Sequence, residues 1–454
     1  MFIDKHRISG KRSIMKQMHT SCFALGMVVI FFFGAICADT TETHFPIYMM
    51  SGYAGLEIGQ IVNGSYGYNN PTSPVAITKA WQERFLFQFI NDIAVTERIR
   101  MVMNIEGQIS FSYPQLLNPP ESEAPRYLFF PQRAEGMYTL GDREKPYLQF
   151  GMGLFPYKFD PDATNLGEFI FRTGTYPVYL ISNFNHCYGE LLGLRVSSTL
   201  FGSLRQDLMM TSETLMFPTQ DYSLSYCVHY SPARCLDIGA GISFAHLFSI
   251  EGKLTKGTSF QEGLYQPNPG DTTHVYYSFA GTKPAFMLAF DPKQFFPEWG
   301  NVFGKNDGRI YGEICVSGLE NRKNYDTAIP PEKDYYNNIL DRTMAMVGFK
   351  VPTCKVFDDL SLEFEYFPPR YPDSWREVFD ENIPVPFTQD SRPRLPWKVS
   401  VYAKKTFLHN FFIVGQVARD HMRPTFPDLK NMEREDVLNG INDWWWVVSL
   451  NFLM

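Results

Sequence analysis

Residues 443–454 read D-W-W-W-V-V-S-L-N-F-L-M. In an extended chain successive side chains point to opposite faces. Trp444, Trp446, Val448, Leu450, Phe452 and Met454 then share one face, and Ser449 and Asn451 the other. A terminal strand with an unbroken apolar face, aromatic residues at one end and polar groups behind fits a membrane β-barrel, whose strands are apolar outward and polar inward. A buried strand of a soluble sandwich reads the same over so short a run, so the rest of the chain has to decide.

The other end of the chain bears on compartment. Lys5, Arg7, Lys11, Arg12 and Lys16 precede an uncharged run, 22–36, that ends in small residues, the three-part layout of a secretory signal with cleavage expected after Ala38. Cleavage after Cys37 is the alternative, and Gly34-Ala35-Ile36 lacks the pattern of a lipid-modified Cys37. The run falls short of the roughly 20 apolar residues of a spanning helix, and no later segment supplies one. An exported chain with 44% hydrophobic residues and no such helix is either soluble outside the cytoplasm or crosses the membrane as a closed barrel. Its 40 Phe, 25 Tyr and 7 Trp favour the barrel, which uses aromatic residues as girdles at both interfaces. Residues 1–38 carry five basic and one acidic side chain, so their removal takes the net charge from −7 to −11, which argues against nucleic acid as a partner. Five cysteines remain, Cys187, Cys227, Cys235, Cys315 and Cys354, odd in number and scattered. They make neither a disulfide framework nor a zinc pattern, and neither a metal nor a cofactor is expected.

Beyond residue 38 one device repeats: about ten residues of alternating hydrophobicity, then a turn. Ile99, Met101, Met103, Ile105, Ile109 and Phe111 alternate with Arg100, Asn104, Glu106, Gln108 and Ser110. Met103 and Phe364 are therefore expected to face lipid, and Asn104 and Glu363 the lumen. Tyr222 to Tyr230 and Leu236 to Phe244 form a hairpin around Ser231-Pro232-Ala233-Arg234, and the glycines at its inward positions, Gly239 and Gly241, suit a crowded lumen. Strands are expected near 51–61, 83–93, 98–111, 133–141, 146–157, 188–201, 202–210, 221–230, 235–246, 273–290, 309–319, 342–352, 356–367, 395–406, 410–420 and 443–454. These are sixteen, in an all-β transmembrane antiparallel barrel forming one domain over 39–454. Long and short connections alternate along them, as they do in barrels with short periplasmic turns and long outer loops. Only 291–308 breaks the alternation, as a short helix or a plug.

In its signal, its alternating strands and its closing strand W-W-W-V-V-S-L-N-F-L-M, the chain resembles the porin-type barrels of Gram-negative outer membranes. Those barrels usually end in phenylalanine, whereas Phe452 here is followed in phase by Met454. The resemblance implies an outer-membrane location, insertion by the barrel-assembly machinery, contact with outer-membrane lipid, passage of small solutes and compatibility with a homo-oligomer. The segment F-G-M-G-L-F-P-Y-K-F-D at 150–160 is faintly similar to the strand before the third loop of phosphate-selective porins but lacks their basic residues, so phosphate specificity does not carry over.

No catalytic residue is assigned and no enzyme is expected. Glu363 and Glu365, about 7 Å apart on one strand face, have the spacing of a glycosidase pair, but adjacent inward positions of any barrel strand give it. His229 lacks a triad setting, Gly239-Ala240-Gly241 lies within a strand rather than before a helix, and Trp444 to Trp446 read as interfacial anchors rather than a sugar platform. Inward charges of both signs, Arg100, Arg195, Lys398 and Lys404 against Glu106, Asp237, Glu313, Glu363 and Glu365, form no ring of one sign.

The segment 158–187 is the third long connection and is unusually apolar. Phe169, Ile170, Phe171, Val178, Leu180, Ile181 and Phe184 need cover, which folding against the inner wall would give; an outward cap packed against other loops or a partner is the competing reading. Asp160, Asp162 and Glu168, partly offset by Lys158 and Arg172, would then sit at the narrowest point. The expected pore-lining or constriction residues are thus Arg100, Glu106, Asp160, Asp162, Glu168, Arg172, Arg195, Glu363, Glu365 and Lys398. The expected function is a porin-like channel for passive diffusion of small solutes. Its rivals are a surface structural or adhesive protein anchored by its barrel, for which the proline-rich 368–394 loop speaks, and a soluble carbohydrate-binding protein.

Overall fold

A computed structural model of the chain describes residues 45–66, 75–113, 126–141, 146–171, 189–212, 221–248, 250, 275–277, 281–296, 298, 302–316, 318–319, 323–325, 339–368, 396–419 and 441–454. The expected signal segment 1–38, Arg172, Val178, Leu180, Ile181, Phe184 and nearly all of the proline-rich loop lie outside these residues.

Sixteen antiparallel strands among the described residues close into one barrel. Along the chain they are β1 (Ile47–Tyr66), β2 (Val75–Ala94), β3 (Ile99–Tyr113), β4 (Arg126–Gly141), β5 (Pro146–Tyr157), β6 (Gly189–Leu200), β7 (Leu204–Ser212), β8 (Tyr222–Ala233), β9 (Leu236–Phe248), β11 (Gly281–Phe290), β12 (Ile310–Val316), β14 (Thr343–Lys350), β15 (Asp359–Tyr366), β16 (Trp397–Phe407), β17 (Phe411–Arg419) and β18 (Trp444–Leu453). Two short strands, β10 (Val275–Tyr277) and β13 (Lys323–Tyr325), form a separate ribbon outside the barrel. The single strand expected over 273–290 is thus two elements: apolar alternation runs through both, but only 281–290 has barrel partners, on β9 and β12. The segment 291–308 holds a one-turn 3-10 helix, Pro292–Phe295. Asp307 fixes it by accepting from the N–H groups of Gly304 (2.9 Å), Thr353 (3.0 Å) and Cys354 (3.2 Å).

The last strand closes the wall, pairing with β17 on one side and β1 on the other, where Leu453 faces Tyr53 and Val448 faces Ile58. Burial is inverted relative to a water-soluble domain. Met103 is 45% exposed and Phe364 42%, and Leu194, Leu208, Leu288, Ile314, Val401, Val448 and Leu450 are exposed too. Glu57, Arg84, Glu106, Gln108, Glu135, Glu363, Lys398 and Asn451 are buried on the inside. Aliphatic surface in contact with water costs about 25 cal/mol per Å², so this outer band is built for a nonpolar solvent. No helix among the described residues is long and apolar enough to cross a membrane; the strands carry the span.

Candidate functional site

The residues after β5 turn into the lumen, and their own sequence makes the bend. Asp160 Oδ1 accepts from the N–H of Asp162 (2.9 Å) across Pro161, and the N–H of Ala163 bonds back to the Asp160 carbonyl (3.2 Å). Gly167 has φ +83 and Glu168 φ +60. The φ of Gly167 lies in the region that favours glycine, and a Cβ there would also press on the mobile end of Met346, 2.7 Å from its Cε. Glu168 closes the bend by accepting from the N–H groups of Phe159 (2.8 Å) and Asp160 (2.9 Å).

The far side of the bend is bound to the opposite wall. Three glutamates on two neighbouring parts of that wall take six successive backbone N–H groups. Glu363 accepts from Thr164 (2.5 Å), Asn165 (2.9 Å) and Leu166 (2.9 Å). Glu365 accepts from Gly167 (3.0 Å), and Glu313 from Glu168 (2.6 Å) and Phe169 (2.9 Å). Asn165 Nδ2 donates to Ser400 Oγ (3.0 Å), Lys350 Nζ to Thr164 Oγ1 (3.0 Å), and Arg309 Nε to Asp162 Oδ2 (2.7 Å) while it also pairs with Asp237. In the ring order β5 and β15 are eight places apart in either direction, so this segment spans the lumen along a diameter.

Its apolar side chains take one side only. Phe159, Ala163, Leu166, Phe169 and Ile170 are buried against Met209, Cys227, Ala285, Met287, Cys315, Met344 and Met346, inward residues of β7–β14. This sector of the inner wall holds a large apolar patch among its polar residues where a polar wall was expected, because the bend, not water, covers it. Gly241 forms the seat: a Cβ there would lie 2.5 Å from Ile170 Cδ1 and 3.1 Å from Phe159 Cε2. Gly348 does likewise for the Tyr311 ring, whose hydroxyl reaches over it to Glu363 (2.7 Å).

Neither contribution holds the segment alone. Ordering fourteen residues, 158–171, costs roughly 20 kcal/mol at about 1.5 each. Burying Phe159, Leu166, Phe169 and Ile170 returns roughly 6–12 kcal/mol, and six N–H bonds to charged acceptors roughly 9–18.

The remaining inner wall, β16–β18 and β1–β4, is polar and its charges are matched. Arg84 pairs with Glu57, Arg100 with Asp92, and Glu135 with Arg133 (2.7 Å) and Arg195 (2.6 Å). Arg195 on β6 reaches Glu135 on β4 across Gly151, where a Cβ would lie 2.5 Å from Glu135 Oε1. Glu106 accepts from Gln88 (2.6 Å), Gln108 (2.8 Å) and Gln132. Lys404 lies over the Phe412 ring (4.5 Å), and His229 packs on the Phe159 ring (5.4 Å).

Burial raises the acids of the bend. It pushes the Asp160 carboxyl up to about 7, against the N–H bond from Asp162. It pushes Glu168 up to about 8, against Lys158 and the N–H groups of Phe159 and Asp160. Asp162 is also raised by burial, with Arg309 opposing.

Of the residues singled out in the sequence, Asp160, Asp162, Glu168, Glu363 and Glu365 meet at this contact. Arg100 and Glu106 lie apart from it on the polar arc, Arg195 on β6 reaches that arc through Glu135, and Lys398 sits opposite Glu365 in the β15–β16 register. Glu57, Arg84, Glu135, Lys283, Arg309 and Lys350 were not singled out. Glu57 is the legible omission, since it lies between Leu56 and Ile58 on a strand expected in the sequence.

The described residues form a closed sixteen-strand antiparallel barrel with residues 158–171 of its third long connection folded inside. The architecture is porin-type. No family model matches the chain, and no curated protein does. Among solved structures similar to it are a mutant porin of Rhodopseudomonas blastica (7% identity, TM-score 0.40, covering 90% of this chain and 100% of that one), OmpF of Salmonella typhi in complex with daunomycin (9%, 0.45, 90% and 100%), and OprB of Pseudomonas putida (10%, 0.43, 90% and 94%).

Proposed function

We propose that the protein is an outer-membrane channel for passive diffusion of small polar solutes, narrowed by residues 158–171. The observation that carries this reading is the diametric attachment of that segment: an anchor or a soluble binding protein has no use for a bar across its interior. Because the bar packs on the β7–β14 side, the solute path runs along the polar arc of β16–β18 and β1–β4, past Arg100, Glu106, Arg133 and Arg195. Asp162 pairs with Arg309, and Asp160, Glu168 and the three wall glutamates turn toward backbone N–H groups of the bar rather than toward the path, so only a weak cation preference is expected.

Single-channel recording in a planar bilayer tests the reading. The intact protein gives stable conductance steps, and deletion of residues 160–176 raises them. Folded barrel that never conducts would instead favour an anchoring role, and unchanged conductance in a folded deletion variant would remove the constriction.

A further inference from the structure

We propose that the hairpins β6–β7 and β16–β17 are pegs that embed apolar turn tips in the phospholipid interface at the short-turn end of the barrel, fixing its depth. This rests on reading the barrel as membrane-spanning. Each hairpin turns through three residues, 201–203 and 408–410. Each begins with a bulky apolar side chain in the left-handed region, Phe201 at φ +53 and Leu408 at φ +50, followed by Gly202 at +71 and His409 at +63. Such turns favour glycine, asparagine or aspartate, and a bulky residue there strains the backbone. No contact among the described residues repays that strain: Phe201 is 95% exposed and Leu408 89%.

The occupant follows from what surrounds the tips. Outward-facing Ser198 and Gln206, and on the other hairpin Lys405, interrupt the apolar band one pair before the turn. Apolarity then resumes in the terminal pairs Leu200–Leu204 and Phe407–Phe411 and in the tips themselves. Arg205, half exposed at the rim of the lumen and paired with Asp207, stands beside one tip, and Lys405, paired with Asp358, beside the other. An apolar wedge with adjacent cations matches the boundary between acyl chains and phosphates. The two hairpins are eight places apart in the ring, on opposite sides of a barrel about 30 Å across. A planar lipid surface meets both at once, whereas a compact protein partner meets one.

Nitroxide labels test this in full-length barrel folded into phosphatidylcholine–phosphatidylglycerol vesicles, on a background whose reactive cysteines are serine. Labels are placed through Phe201→Cys and Leu408→Cys, with Leu194→Cys, in the middle of β6, as reference. Collisions with oxygen exceeding those with a water-soluble nickel chelate at both tips are the expected result. Nickel-dominated collisions at the tips with an oxygen-dominated Leu194 site overturn the pegs and leave the channel reading intact. Shielding of the tips from both reagents also overturns them, in favour of a protein partner. A nickel-dominated Leu194 site sinks the membrane reading and the pegs with it.

Discussion

Glu363 takes three consecutive N–H groups and the Tyr311 hydroxyl on two oxygens. Glu363→Gln replaces one acceptor oxygen by an NH2 aimed at donors, which costs about 1–3 kcal/mol of local stability. Hydrogen exchange at Thr164, Asn165 and Leu166 is then expected to speed by roughly 5- to 150-fold, while Glu168 and Phe169, held by Glu313, change less. Equal acceleration across 164–169 would mean the bar opens as a unit. Gly241→Leu places atoms where Ile170 and Phe159 now sit, an overpacking of about 1–3 kcal/mol, so conductance rises in a barrel that still folds. Gly415→Leu, with no atom within 4 Å of its added Cβ, is the matched control and leaves conductance unchanged.

At the scale of the element, the bar is a proton-linked structure. Asp160 and Glu168 have carboxyl pKa values raised in the docked state, to about 7 and about 8, so docking favours their protonated forms. The docked bar is therefore most stable at pH below the ordinary carboxylate range, and that advantage is lost as pH rises through 7 and 8. Conductance measured from pH 5 to 9 is expected to increase, and Asp160→Asn, which cannot ionise, flattens the rise. A conductance that falls with pH would assign control to other groups. Why the sequence foretold the element but not its dock is physical. Fourteen residues carrying Phe159, Leu166, Phe169 and Ile170 need cover wherever they go, so the inward turn was legible. Glu313, Glu363 and Glu365 look like any inward acids on their own strands, and only closure of the ring sets them opposite β5. The sixteen barrel strands were legible because period-2 alternation is local; the overextended start of 273–290 shows its limit, since Val275–Tyr277 alternates as well as its neighbours but pairs elsewhere.

For the whole molecule, the inner wall divides into an apolar arc filled by the bar and a polar arc of matched charges. That division was not legible in the chain, because Met287 or Met344 at an inward position signals nothing until its cover is known. It predicts unequal responses to substitution. Arg100→Glu, on the polar arc, reverses a fixed charge beside the path and is expected to raise the cation-to-anion permeability ratio read from the reversal potential in a salt gradient. Met287→Leu, under the bar, leaves that ratio where it was. A shift from both, or from neither, would place the path elsewhere.

The bar is also a matter of timing. Thr164 to Leu166 are synthesised 197 to 199 residues before the carboxylate that receives them, an interval of about 10–40 s at 5–20 residues per second. Through that interval Phe169 and Ile170 lack the wall that later covers them, and the bar is expected to set only after the cylinder is complete. In refolding from urea, β-sheet signal should therefore appear before amides 164–169 are protected.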